Sequence, residues 1–95
     1  MHVTGIIWLD EIVEKLEWKH GVSRREVHEL LNNRPHVRFM EKGNRDGEDV
    51  YAAYGATRAG RRLMVFYILK AGRQALVVSA REMTEKERKY YEETK

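Results

Sequence analysis

The stretch LVVSAREMTEKERKYYEE, Leu76 to Glu93, decides how this chain is read. Leu76 to Val78 are apolar and mostly β-branched, which suits a strand. Ser79 and Ala80 are small, Arg81 and Glu82 are charged, and Thr84 is followed three residues later by Glu87. That Thr-x-x-Glu spacing is a capping box, so a helix is expected to start near Glu85 and to carry Tyr90 and Tyr91. A strand therefore delivers an arginine to the start of a helix. On a regular strand alternate residues share a face, which puts Val77, Ser79 and Arg81 on one side and Leu76, Val78 and Ala80 on the other. Arg81 has two possible uses. With small Ser79 beside it and a helix N-terminus close by, it can bind a phosphate. Alternatively it pairs with Glu82 or Glu87 and ties the helix to the sheet.

Working back from this stretch, ALVVSA is the last strand and KAGRQ the hairpin turn before it. LMVFYIL, Leu63 to Leu69, is apolar at every position, so a central strand covered on both faces is expected. The turn RAGR separates it from VYAAYGAT, and KGNRDGED is a loop between that strand and HVRFME. Short connections of this kind favour an antiparallel meander of about four strands. Upstream, GIIWL is a short strand candidate and Asp10 a plausible N-cap. Ile12, Val13 and Leu16 form the apolar face of a first helix, whose acidic residues form its wet face. Gly21 suits a left-handed helix end. Ser23 with Glu26 makes a capping box that opens a second helix, with Val27, Leu30 and Leu31 as its buried face, ended by Asn32, Asn33 and Pro35. Two N-terminal helices, strands and one C-terminal helix predict an α+β fold, with residues 1–95 forming a single domain.

Composition narrows the function. The chain has no cysteine, which removes disulfides, thiolate zinc sites and thiol nucleophiles. No His-x-x-x-His pair stands beside a Glu, so no metal site is expected. The apolar run 63–69 is too short to span a membrane. The N-terminus lacks a basic stretch followed by an apolar one, so no signal peptide and a cytoplasmic location are expected. The net charge of +3 is unevenly distributed. Within 54–82 Arg58, Arg61, Arg62, Lys70, Arg73 and Arg81 face Glu82 alone. Such a basic segment attracts polyanions, or else forms a solvated strand face with basic turns.

Three segments, WKHGVSRREV (Trp18 to Val27), YGATRAGRRLMVFY (Tyr54 to Tyr67) and VVSAREMTEKERKYYEE (Val77 to Glu93), resemble the BrnT family of bacterial toxins. The resemblance covers nearly the whole chain in order. It implies a RelE-like fold, an RNA-cleaving activity that stops translation, and a cognate BrnA-like antitoxin as partner. The RNA substrate would be free or ribosome-associated. The carry-over falls on Lys19 and His20, on Arg61, on Arg81, and on Glu87, Arg88 and Tyr91. Better-known members carry arginines where this chain has Val50 and Leu76, and fewer arginines mean fewer phosphate contacts.

Metal-free RNA cleavage uses the 2′-hydroxyl as nucleophile and needs a proton acceptor, cations around the phosphate and a donor for the leaving oxygen. His20 is the natural proton carrier, because imidazole exchanges protons near neutral pH. Arg61 and Arg81 are expected to clamp the phosphate, with Lys19 adding charge and Glu87 taking part from the last helix. Arg58, Arg62 and Arg73, in turns, are placed to track the backbone, and Tyr51 and Tyr54 to stack on unpaired bases. This reading requires His20, Arg61 and Arg81 to converge on one scissile linkage without a cofactor. The blander alternatives are a helix-capping role for His20, core or interface positions for Trp8 and Trp18, and a core position for Tyr54. His2, His28 and His36 have no partner at a useful spacing. The alternative function is a non-catalytic module that binds RNA or a partner protein through the basic sheet face.

Overall fold

The computed structural model describes residues 3–43 and 48–94. His2 and residues 44–47 of the KGNRDGED loop lie outside the described residues.

The order of elements is β1 (Gly5–Ile7), α1 (Asp10–Lys15), a π-helical turn (Leu16–His20), α2 (Arg24–Leu31), β2 (His36–Glu41), β3 (Val50–Ala56), β4 (Arg62–Lys70), β5 (Gln74–Glu82) and α3 (Glu85–Thr94). The sheet has five strands in the order β1-β5-β4-β3-β2. Strands β2 to β5 pair antiparallel in sequence, and β1 adds to the free edge of β5 in parallel. The sheet is therefore mixed and five-stranded, a correction to the expected four-stranded antiparallel meander. The short GIIWL segment finds its partner about seventy residues downstream, a pairing that local turn signals cannot reveal. As its unbroken apolar run requires, β4 is central.

Local chemistry explains the helix ends. Ser23 and Glu26 form the predicted capping box, with the Ser23 N–H donating to Glu26 Oε1 at 3.0 Å and the Glu26 N–H to Ser23 Oγ at 3.2 Å. Thr84 and Glu87 form the second, at 2.8 and 3.2 Å. Asp10 does not cap α1: Leu9 occupies the cap position without a side-chain bond, and Asp10 is the first helical residue. Its charge still suits the positive end of the helix. Gly21 takes φ 62°, and its N–H donates to the Leu16 carbonyl, closing the wide π turn. A β-carbon there would be strained, which is why glycine ends this helix.

Each face of the sheet has its own core. On one face the π turn, the link after it and α2 bury Leu16, Val22, Val27 and Leu30 against Ala53, Leu63, Val65, Tyr67, Val77 and Ala80, with Ile12 of α1 packed alongside. Leu30 lies so close to β3 that a β-carbon at Gly55 would stand 2.9 Å from its Cγ, so glycine permits the approach of α2. On the other face α3 covers Ala52, Tyr54, Met64 and Met83 with Tyr91, and Phe66 and Tyr90 pack alongside.

The opening stretch contains a break in alternation. Tyr67 pairs with Val77 and Phe66 with Ser79, so Val78 is an extra residue in β5, a β-bulge. A one-residue insertion reverses the side-chain pattern beyond it. Val77 and Ala80 therefore both reach the α1/α2 core, while Ser79 and Arg81 face α3. The expected grouping of Val77 with Ser79 and Arg81 is corrected for this reason.

Candidate active site

The centre of the arrangement is Arg61, at the end of the turn between β3 and β4. Thr57 shapes this turn: its N–H donates to the Arg61 carbonyl at 3.0 Å and its Oγ1 accepts from the Arg61 N–H at 3.1 Å. The guanidinium then reaches across to the helices. Nη1 donates to the Gly21 carbonyl at 2.7 Å and to both Glu26 oxygens at 3.0 Å. Nη2 donates to the His20 carbonyl at 3.3 Å and to Glu82 at 2.9 Å, and Nε to Glu82 at 3.2 Å. A guanidinium has five N–H donors, and these bonds engage all of its nitrogens. Burial opposes the charge on Arg61, but Glu82 and Glu26 outweigh it and raise its pKa. Burial likewise opposes the charge on Glu26, yet the Ser23 N–H and Arg61 hold that carboxyl below its ordinary value.

Arg61 thus grips the end of the π turn from the sheet side and sets the position of His20. The His20 side chain is half-buried, and its ring nitrogens carry no hydrogen bond among the described residues. Neighbouring Lys19 is exposed and carries no ion pair among the described residues. Trp18, expected in a core or an interface, is 86% exposed and lies beside Glu11, Glu14, Lys15 and Lys19.

Arg81 stands elsewhere. Because of the bulge it faces α3, with its guanidinium 5.5 Å from the centre of the Phe66 ring. It forms a two-pronged pair with Glu87, at 2.7 and 2.9 Å, and donates to the Glu82 carbonyl at 3.1 Å. The Arg81 bond, outweighing burial, holds the Glu87 carboxyl down at about 2. The structure therefore joins His20 to Arg61 and Arg81 to Glu87, on opposite faces of the sheet. Of the three residues expected to converge, Arg61 bonds the His20 carbonyl, and Glu82 accepts from both Arg61, through its carboxylate, and Arg81, through its carbonyl.

The proposed RNA contacts divide in the same way. Tyr54 is 4% exposed, sandwiched by His36 and Tyr90 beneath α3, so its ring is not available to a base. Tyr51 stacks on Tyr67 and meets Phe39 edge-on. Arg62 donates to Glu92 at 3.2 Å and to the Gly60 carbonyl at 2.8 Å. Arg58 and Arg73 are exposed in their turns, with guanidiniums unpaired among the described residues. Of the three histidines set aside for want of a partner, His28 and His36 have one in space. Trp8 Nε1 donates to His28 Nε2 at 3.3 Å, and His36 Nε2 meets the Tyr90 hydroxyl at 2.8 Å. Among the described residues no group of three or more His, Asp or Glu side chains is placed to hold a metal ion, and no helix is long and apolar enough to cross a membrane.

A five-stranded mixed sheet covered on both faces, with an imidazole that is unbonded among the described residues next to the exposed Lys19, defines a small basic α+β domain. The family model of the ribonuclease toxin BrnT, of type II toxin–antitoxin systems, matches residues 10–87, and the chain belongs to that family. The crystal structure of the Brucella abortus ribonuclease toxin BrnT superposes with a TM-score of 0.61 at 17% identity, over 85% of this chain and 97% of that one. No curated protein matches the sequence.

Proposed function

We propose that this protein is the toxin of a type II toxin–antitoxin pair, a metal-independent endoribonuclease that acts in the cytoplasm and stops translation. The observation that carries this reading is His20, in a chain of the BrnT family, with ring nitrogens unbonded among the described residues and its backbone carbonyl held by Arg61. His20 takes the proton of the 2′-hydroxyl as that oxygen attacks the adjacent phosphorus. The bond to the 5′-oxygen breaks and that oxygen takes a proton from solvent water, leaving a 2′,3′-cyclic phosphate and a 5′-hydroxyl, after which the imidazolium of His20 returns its proton to solvent. Lys19 balances the charge on the crowded phosphate. Arg61 is a positioning residue in this scheme, and the Arg81–Glu87 pair holds α3 to the sheet. A BrnA-like antitoxin would neutralise the toxin by covering the basic end.

The test is incubation of purified protein with RNA, with and without ribosomes, in the presence of chelator. Cleavage is expected to persist in chelator and to fall by about 10²–10⁴-fold in His20→Ala, the range for loss of a general base. Intact RNA under all conditions overturns the enzyme reading.

One observation favours the second reading, a non-catalytic module. Val50 and Leu76, the positions where better-known members resemble this chain but carry arginines, pair with Ile68 from its two sides. They form an apolar row across β3, β4 and β5 in place of two cations, a surface better suited to a protein than to a phosphate backbone.

A further inference from the structure

We propose that the cleft between α2 and the β3–β4 turn is a second RNA subsite, in which Arg25 and Arg58 hold phosphates of the strand flanking the scissile linkage. The proposal rests on the RNA substrate put forward above and goes beyond it in naming where the chain runs. The cleft has a volume of about 610 Å³ and is lined by Arg25, His28, Glu29, Asn32, Asn33 and Arg58. That is within the range of small-ligand sites and holds a nucleotide.

Among the described residues some arginines are bonded to carboxylates and others are not. Arg61, Arg62 and Arg81 are each bonded to carboxylates. The guanidiniums of Arg25 and Arg58 have no partner among the described residues, yet both line the same cleft. Unpaired guanidiniums facing one concavity are what phosphate recognition needs, since they bind without first breaking an ion pair. The walls are held in place. Glu29 accepts the Arg58 backbone N–H at 3.2 Å, and Asn33 Nδ2 donates to the Ala56 carbonyl at 3.4 Å, joining helix to turn. Asn32 has an amide without a partner among the described residues, able to donate to and accept from a base edge. Glu29 Oε2 can accept from a base amino group. The lining lacks the aromatic or aliphatic anchors that dominate protein interfaces, which argues for RNA over a peptide. The same two elements position His20: α2 begins three residues after the π turn, and the β3–β4 turn carries Arg61.

The experiment is fluorescence anisotropy with a labelled, mixed-sequence oligoribonucleotide whose 2′-hydroxyls are methylated, so that binding is read without cleavage. Each phosphate contact on a single strand adds about 0.7 to the slope of log affinity against log salt. The R25A/R58A variant is expected to flatten that slope by about 1.4 and to weaken binding roughly 25-fold at about 0.1 M salt. Its melting temperature should match that of the unsubstituted protein, because both side chains are unpaired among the described residues. Unchanged affinity and slope in R25A/R58A overturn the subsite alone. Failure of the unsubstituted protein to bind RNA overturns both. A cleft that takes a poly-glutamate peptide in preference to the oligoribonucleotide also overturns it.

Discussion

Replacing Arg61 with alanine removes the guanidinium that joins the sheet to both N-terminal helices. The Arg61 side chain is 27% exposed and Glu26 23%, while Glu82 is 64% exposed. The tie to Glu82 is largely solvated and contributes little. The bonds to Glu26 and to the His20 and Gly21 carbonyls are better shielded, and hydrogen bonds to charged groups contribute about 1.5–3 kcal/mol when buried. Residual exposure and the stranding of Glu26 together put the loss at about 2–3 kcal/mol. For a domain of this size each kcal/mol lowers the melting temperature by ~4–8 °C, so a fall of ~10–20 °C is expected. Arg61→Lys should recover less than half, since one ammonium cannot span both carbonyls and two carboxylates. Denaturant and thermal unfolding followed by circular dichroism measure both variants. In single-turnover cleavage a positioning role predicts a loss in kcat rather than in KM, and R61A/H20A no slower than H20A alone. R61A that unfolds within about 0.5 kcal/mol of the unsubstituted protein, with only KM raised, would refute the argument: the guanidinium would then hold RNA and not the π turn.

Two further outcomes test the packing. The Glu87 carboxyl titrates at about 2 in the folded protein against an ordinary 4.5, so its pair with Arg81 stabilises fully above about 4.5 and is lost as pH falls through about 2. Allowing for partial solvation, Glu87→Gln should cost about 1 kcal/mol near neutral pH, the two proteins converging toward pH 2; a gap that stays constant contradicts the pairing. The Tyr67 hydroxyl is buried without a hydrogen-bond partner among the described residues, and burial pushes its pKa up. Tyr67→Phe should therefore stabilise by about 1 kcal/mol, and a lower melting temperature would show that the hydroxyl is bonded after all.

The comparison of sequence with structure turns on range. Both capping boxes form from contacts three residues apart, and both were legible as Ser-x-x-Glu and Thr-x-x-Glu. The central position of β4 followed from its unbroken apolar run. The Arg81–Glu87 pair was one of two alternatives for the opening stretch, and both residues lie within one turn of chain. Arg61 was legible as important but not in its partners, because Glu26 and Glu82 lie thirty-five and twenty-one residues away and meet it only when α2 and β5 dock. The bulge at Val78 left no mark in the residue pattern, since a β-branched apolar residue serves equally well in a regular strand.

By itself the sequence determined the α+β class, the starts of α2 and α3, the turns, the central strand and the family, because these rest on periodicity, capping and motif order within short spans. Tertiary structure alone decided which cations are paired and which are free. An ion pair depends on where distant elements come to rest, and one inserted residue in β5 is enough to send Arg81 to the face opposite His20.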